Sequence, residues 1–113
     1  MNILTSLNPH IVDKPDKNNP NYTSSSKYFA SGFINKELTL EEFQDAIQKN
    51  GFAYSVQMNG VRRTENFIQS NLISIDIDDG LCINEALNHP YVQQYAAFIY
   101  TTSSHSVDNH RFR

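Results

Sequence analysis

Apolar residues recur along this chain at different spacings, and the changes of spacing mark its elements. From residue 39, "TLEEFQDAIQKNG" puts Leu40, Phe43, Ala46 and Ile47 three or four apart, which gathers them on one face of a helix of about three turns. Thr39 and Glu42 have capping-box spacing, and Gly51 supplies a stop. "FAYSVQM" then predicts a strand. Asn59–Gly60 predicts a two-residue hairpin turn, because both residue types tolerate positive φ, with a return strand through Val61 to Arg63. In "NLISIDID", residues 71 to 78, Leu72, Ile73, Ile75 and Ile77 form a nearly continuous apolar run, the pattern of a central strand covered on both faces. Residues 84 to 95 read as helical, with Asn84 a candidate cap and Pro90 starting a second turn or kink. "AAFIYTT" predicts a second buried strand that ends in the polar loop "SSHSVDN". Strands alternating with helices, plus one hairpin, imply an α+β fold with α/β-like order, a mixed sheet with helices packed on it.

The stretch "NPHIVDKPDKNNPNYTSSSK", residues 8 to 27, holds three of the four prolines and has too little apolar surface to fix a regular element. The expected organisation is a polar, partly flexible N-terminal arm over residues 1–27 and a domain over residues 28–113. A length of 113 residues allows one domain at most. "HRFR" closes the sequence straight after a polar loop, so the chain is expected to continue beyond Arg113.

Charge refines this picture. Nine basic against twelve acidic residues, net −3, argue against a dedicated basic nucleic-acid-binding domain. The arginines nevertheless fall at two places, Arg62–Arg63 and Arg111 with Arg113, whereas all five lysines lie within the first 49 residues. A local cationic rim beside an anionic centre is what a phosphate-handling metal site needs; arginines on a solvated surface are the plainer explanation. The single cysteine, Cys82, excludes an internal disulfide framework and suits a reducing cytoplasm. The N-terminus lacks a basic start followed by an apolar core, and no run approaches membrane-spanning length. A soluble, cytoplasmic protein without a membrane partner is expected.

Candidate chemistry centres on "ISIDIDDGL". Residues two apart on a strand share a face, so Asp76 and Asp78 project together. Two carboxylates side by side repel, and they either sit in water at the strand end or are neutralised by a divalent cation. Mg²⁺ or Mn²⁺ prefers such oxygen donors together with substrate phosphates. Asp-x-Asp is a weak signal on its own. Asp79, next to Gly80, reads as a turn residue. The second strand ends in Thr101, Thr102, Ser103, Ser104 and His105, expected on the same rim because the intervening helical stretch is long enough for a parallel crossover. Hydroxyls and an imidazole can grip nucleotide phosphates; an ordinary Ser/Thr surface turn fits the same residues. Cys82 lacks an arrangement of His and acid around it, and His10, His89 and His110 read as structural.

The order hydrophobic–Asp–hydrophobic–Asp, a helical spacer, then a strand ending Ser–x–His in "FIYTTSSH" resembles the first two catalytic motifs of the archaeo-eukaryotic primase superfamily, the primase-polymerases. More narrowly, residues 38 to 113 are similar to primase domains of phage and plasmid replication proteins. The resemblance implies an RRM-like primase catalytic core, truncated here, with Asp76 and Asp78 as ligands of two Mg²⁺ or Mn²⁺ ions. It implies Ser103 and His105 as contacts to the incoming nucleotide, His105 acting with the two aspartates in catalysis. Arg111, Arg113 and Arg63 would reach phosphate. The implied chemistry is template-directed attack of a 3′-hydroxyl on the α-phosphate of a nucleoside triphosphate. Single-stranded DNA would be the template, and a replicative helicase domain or protein a candidate partner. The family also uses a third Asp at the end of a later strand, and none follows His105, so the 113-residue chain alone is expected to be inactive.

Two other readings compete. "ISIDIDDGL" also looks like the first motif of haloacid-dehalogenase-type phosphatases, but that motif needs Thr or Val where Gly80 stands, leaves His105 without a role, and expects the acidic strand near the start of its domain. A non-catalytic nucleotide- or DNA-binding module is the third reading. A calcium loop of the EF-hand kind is excluded by the position of Gly80 and the lack of a bidentate Glu.

Overall fold

The strand that becomes the centre of the first sheet is "ILTSLN", a stretch whose alternation is blurred by Thr5, Ser6 and Asn8. In the computed structural model, which describes residues 1–12, 18 and 28–113, these residues form β1 (Ile3–Asn8). It pairs antiparallel with β2 (Ile34–Leu38) on one side and β3 (Ala53–Ser55) on the other. A strand flanked on both sides and covered on its faces must hide its polar side chains. Thr5, Ser6 and Asn8 are buried, and each finds a backbone partner. Thr5 Oγ1 donates to Ser55 O at 2.8 Å, Ser6 Oγ to Val56 O at 2.7 Å, and Asn8 Nδ2 to Tyr28 O at 2.6 Å. These bonds offset the cost of burying the polar atoms, and they fasten β1 to the chain where it leaves β3 and to α1 (Tyr28–Ser31).

Ile3–Asn8, within the arm expected over residues 1–27, thus belong to the sheet. Of the rest of that arm, residues 13–17 and 19–27 lie outside the described residues. The division observed is into two units, Met1–Ile73 and Ser74–Arg113, instead of a boundary at residue 27.

Helix α2 (Leu40–Gln48) forms as the spacing requires. Thr39 Oγ1 accepts from Glu42 N at 3.1 Å and Glu42 Oε2 accepts from Thr39 N at 2.8 Å, a complete capping box. Glu41 and Glu42 also place negative charge at its N-terminus. At the other end Gly51 takes φ +67°, which lets Phe52 N return to Ala46 O at 3.0 Å. The buried face is Phe43, Ala46 and Ile47, and with Ile3, Leu7 and Met58 it makes the apolar core of this unit. Thr39→Ala removes half of the capping box and is expected to lower unfolding stability by about 1 kcal/mol, while Thr39→Ser keeps most of it. Urea titration of the three proteins checks this, and equal midpoints for wild type and Thr39→Ala would contradict it.

The hairpin differs from its expected form. "FAYSVQM" breaks at Val56 into β3 and β4 (Gln57–Met58), and β4 pairs antiparallel with β5 (Phe67–Gln69). Val61 to Arg63 is loop, not return strand. Gly60 has φ +88°, but Asn59 does not take positive φ, so the two-residue turn is not made. The loop is organised by Asn66 instead: its O accepts from Asn59 N and its Nδ2 donates to Val61 O, both at 2.8 Å.

The second unit contains α3 (Ile83–Leu87) and α4 (Pro90–Tyr95). The kink expected at Pro90 is a full break, with Pro90 opening α4 and His89 Nδ1 accepting from Tyr91 N at 3.2 Å as its cap. Asn84 lies inside α3 and is not its cap. The run expected to be a central strand forms no named strand: Ile73 is 88% exposed and Ile75 53% exposed. Only Ile77 makes a bridge, antiparallel to Phe112, and Thr101 makes another to the same residue. The parallel pair expected of a mixed sheet is therefore not made, and every strand pairing and bridge among the described residues is antiparallel. The protein is α+β, built of small antiparallel sheets and short helices.

Candidate active site

Asp76, Asp78, Ser103, His105, Arg111 and Arg113 all fall in the second unit, and a hairpin brings them together. Tyr100 and Arg113 exchange backbone hydrogen bonds of 3.1 and 2.9 Å, and Thr102 N donates to Arg111 O at 3.0 Å. On its other side the returning segment pairs with Ile77, Ile77 N to Phe112 O at 2.9 Å and Phe112 N to Ile77 O at 3.1 Å. Residues 111–113 thus lie between the two segments expected to be neighbours. Because both are antiparallel to residues 111–113, they run in the same direction and finish at the same end, which puts Asp78 and the turn after Thr102 on one rim.

Register then assigns the faces. Across an antiparallel pair, opposed residues share a face and successive residues alternate. Ile77, Phe112 and Thr101 take one face, and Phe112 is 3% exposed. Asp76, Asp78, Tyr100, Thr102, Arg111 and Arg113 take the other. The side chains bear this out at Arg113: its guanidinium bonds Asp76 as a fork, Nε to Oδ1 and Nη2 to Oδ2, the latter at 2.9 Å. Nη1 donates to the Tyr100 hydroxyl at 3.4 Å. Such an exposed pair is worth about 0.2–1 kcal/mol, so its main effect is to orient Asp76. Asp78 is exposed and has no partner among the described residues. Arg111 stands level with it, and the Arg111 Nε is buried without a hydrogen-bond partner.

The turn carrying Ser103 and His105 is closed by His105 N donating to Thr102 O at 3.0 Å. Ser103 is exposed. His105 Nδ1 accepts from Arg111 N at 3.1 Å, so in the neutral ring the proton resides on Nε2, the nitrogen left for another partner. His110 plays a matching structural part: its Nδ1 accepts from Ile83 N at 3.0 Å and satisfies the start of α3, where Cys82 offers no side-chain cap. The two imidazoles lie 5.0 Å apart, centroid to centroid. Asp79 Oδ1 accepts from Leu81 N at 3.2 Å, the turn role expected of it. Arg63 belongs to the first unit, in the loop after β4.

Sequence reasoning missed Tyr100 as a partner of Arg113 and Phe112 as the residue between the two segments. The signal for Phe112 was present in "HRFR", where polar and apolar residues alternate.

Metal binding can be judged on the donor set. Asp76 and Asp78 supply hard oxygen ligands on one exposed face, and one of them already holds a cationic group. They fit Mg²⁺ or Mn²⁺ in kind. Among the described residues, no group of three or more His, Cys, Asp and Glu side chains is gathered as a metal ion would need. No described helix is long and apolar enough to cross a membrane. The chain matches no protein-family model, no curated protein and no solved structure.

Proposed function

We propose that the chain is the N-terminal part of the RRM-like catalytic domain of a cytoplasmic DNA primase-polymerase, which transfers nucleotides from nucleoside triphosphates along a single-stranded DNA template, with a replicative helicase as companion. The observation that carries this reading is the convergence of Asp76 and Asp78, two arginines and the Ser103–x–His105 turn on one rim, through the insertion of residues 111–113.

In this reading Asp76 and Asp78 hold Mg²⁺ or Mn²⁺, which when bound would offset charge on the reacting phosphate oxygens. Arg113 keeps the Asp76 carboxylate oriented, and its guanidinium can exchange that carboxylate for a phosphate of similar fork geometry. Arg111, on the same face as Asp78, would bring its guanidinium charge to the phosphate. Arg111 N–H fixes the His105 ring through Nδ1, so that Nε2–H can donate to a phosphate oxygen beside the Ser103 hydroxyl. The third carboxylate that the chemistry needs would come from outside these 113 residues.

The first test is Mn²⁺ titration with a non-hydrolysable nucleoside triphosphate, followed by paramagnetic broadening of amide resonances. Residues 76–78, 103–105 and 111–113 are expected to broaden, and the double variant Asp76→Asn/Asp78→Asn to abolish the effect. Broadening elsewhere only would overturn the site. Template-directed incorporation by a parent protein that supplies the third carboxylate, lost in the same double variant, separates polymerase from binding module.

A further inference from the structure

The first unit carries a cavity of its own, and among its lining residues is Arg63, the one arginine of that unit that the primase resemblance would turn toward phosphate. It has a volume of about 370 Å³ and is bounded by residues between Ser55 and Phe67. It is lined by the apolar side chains of Val56, Met58 and Phe67 together with Ser55, Arg62, Arg63 and Thr64. Among the described residues, no carboxylate lines it and neither arginine makes an ion pair. Two adjacent guanidinium groups without a compensating anion leave local positive charge in a molecule whose net charge is −3.

Hydrogen bonds tie several of the lining residues in place. Met58, which lines the cavity, is buried, and the Asn35 side chain clasps the Met58 backbone, Nδ2 to Met58 O at 2.8 Å and Met58 N to Oδ1 at 3.0 Å. The loop carrying the arginines is tied by Arg62 N to Ala30 O at 2.8 Å and Asn66 N to Arg63 O at 3.0 Å. Arg62 is further steadied over the Phe33 ring, 5.8 Å from its centroid. Phe67 is 57% exposed, which leaves ring surface open for a base to stack on.

We infer that this cavity binds a nucleoside phosphate unit, its base laid against Phe67 and its phosphate held by Arg62 and Arg63, with Thr64 in the same lining. The chemistry is that of a phosphate fork next to an aromatic platform. A cavity of this size suits one nucleotide and not a whole strand, yet a free nucleotide and one residue of a single strand present the same groups.

Calorimetric titration of the 113-residue protein without divalent metal, using dAMP, deoxyadenosine, inorganic phosphate and a short single-stranded deoxyadenylate, tests this. The expected result is that dAMP binds at least about tenfold tighter than deoxyadenosine or phosphate, since only it engages both parts of the site. Arg62→Ala/Arg63→Ala is expected to weaken dAMP binding by about tenfold or more, and Phe67→Ala by several-fold. Both arginines are exposed and Arg62 anchors the loop through its backbone N, so the double variant keeps the fold, which circular dichroism verifies. Asp76→Asn/Asp78→Asn is expected to leave this binding unchanged, so failure here and failure of the polymerase reading are distinguishable. Tighter binding of the deoxyadenylate, lost with the arginine pair, identifies a strand as the source; binding of dAMP alone identifies a free nucleotide. Equal binding by wild type and the arginine variant, or loss only in the aspartate variant, overturns the proposal.

Discussion

Phe112→Ala is expected to cost the second unit about 3–5 kcal/mol and to dismantle the rim with it. Phe112 is one of only two buried apolar residues described in that unit, Ala86 being the other. Its backbone also pairs with Ile77 on one side while its neighbours pair with Tyr100 and Thr102 on the other. Truncating the ring removes both the transfer energy and the contacts that keep the segment seated, and little else in the unit can refill the space. The readout is hydrogen exchange at Ile77, Tyr100 and Thr102, whose amides donate across the two ladders. Their protection should collapse in Phe112→Ala and largely survive in Phe112→Leu. Unchanged protection in the alanine variant would mean that the side chain does not hold the ladder.

Phe43→Ala carries the other large effect, also about 3–5 kcal/mol, in the first unit. The ring is 1% exposed and meets Tyr54 edge-on, with centroids 5.1 Å apart and planes at 84°. It is the residue through which the amphipathic face of α2 enters the core beneath β1 and β3. A domain of this size has only about 5–15 kcal/mol of net stability, so the loss is a large share of the total. Leu40→Ala, on the same helix but at an exposed position, serves as the comparison and should cost under about 1 kcal/mol. Similar urea midpoints for the two variants would contradict this account of the core.

The contrast between these helical positions shows why α2 was legible from sequence. Its cap, face and stop are all local: Thr39, Glu42, Gly51 and four apolar residues within one short stretch. Asp79 was legible for the same reason, since an Asx turn needs only the next two residues. The strands were not local in this sense. β1 becomes central through hydrogen bonds from Thr5 and Ser6 to carbonyls about fifty residues away, and no window on "ILTSLN" contains those partners. The opposite error arose at "NLISIDID", where a run of isoleucines suggested burial, although Ile73 and Ile75 gain no covering element among the described residues. At Asn59–Gly60 only Gly60 takes the positive φ expected of both residues, and Asn66 supplies hydrogen bonds that enlarge the loop. The spacing of Asp76 and Asp78 was readable, and so was their shared face. That Arg113 would be the cation bonded to Asp76 depended on the return of the hairpin, which alternation in four residues hinted at without specifying a partner.

The wedging of residues 111–113 between two other segments also has a consequence in time. Tyr100 and Arg113 are 13 residues apart, whereas Asp76 and Arg113 are separated by 37. Short closures form faster than long ones, so the 100–113 hairpin should close first and the acidic segment dock against it afterwards. Until then Asp76 lacks its guanidinium partner and the aspartate pair is a flexible acidic tether. The rim is therefore the late product of folding in this unit, assembled only on a hairpin that has already closed.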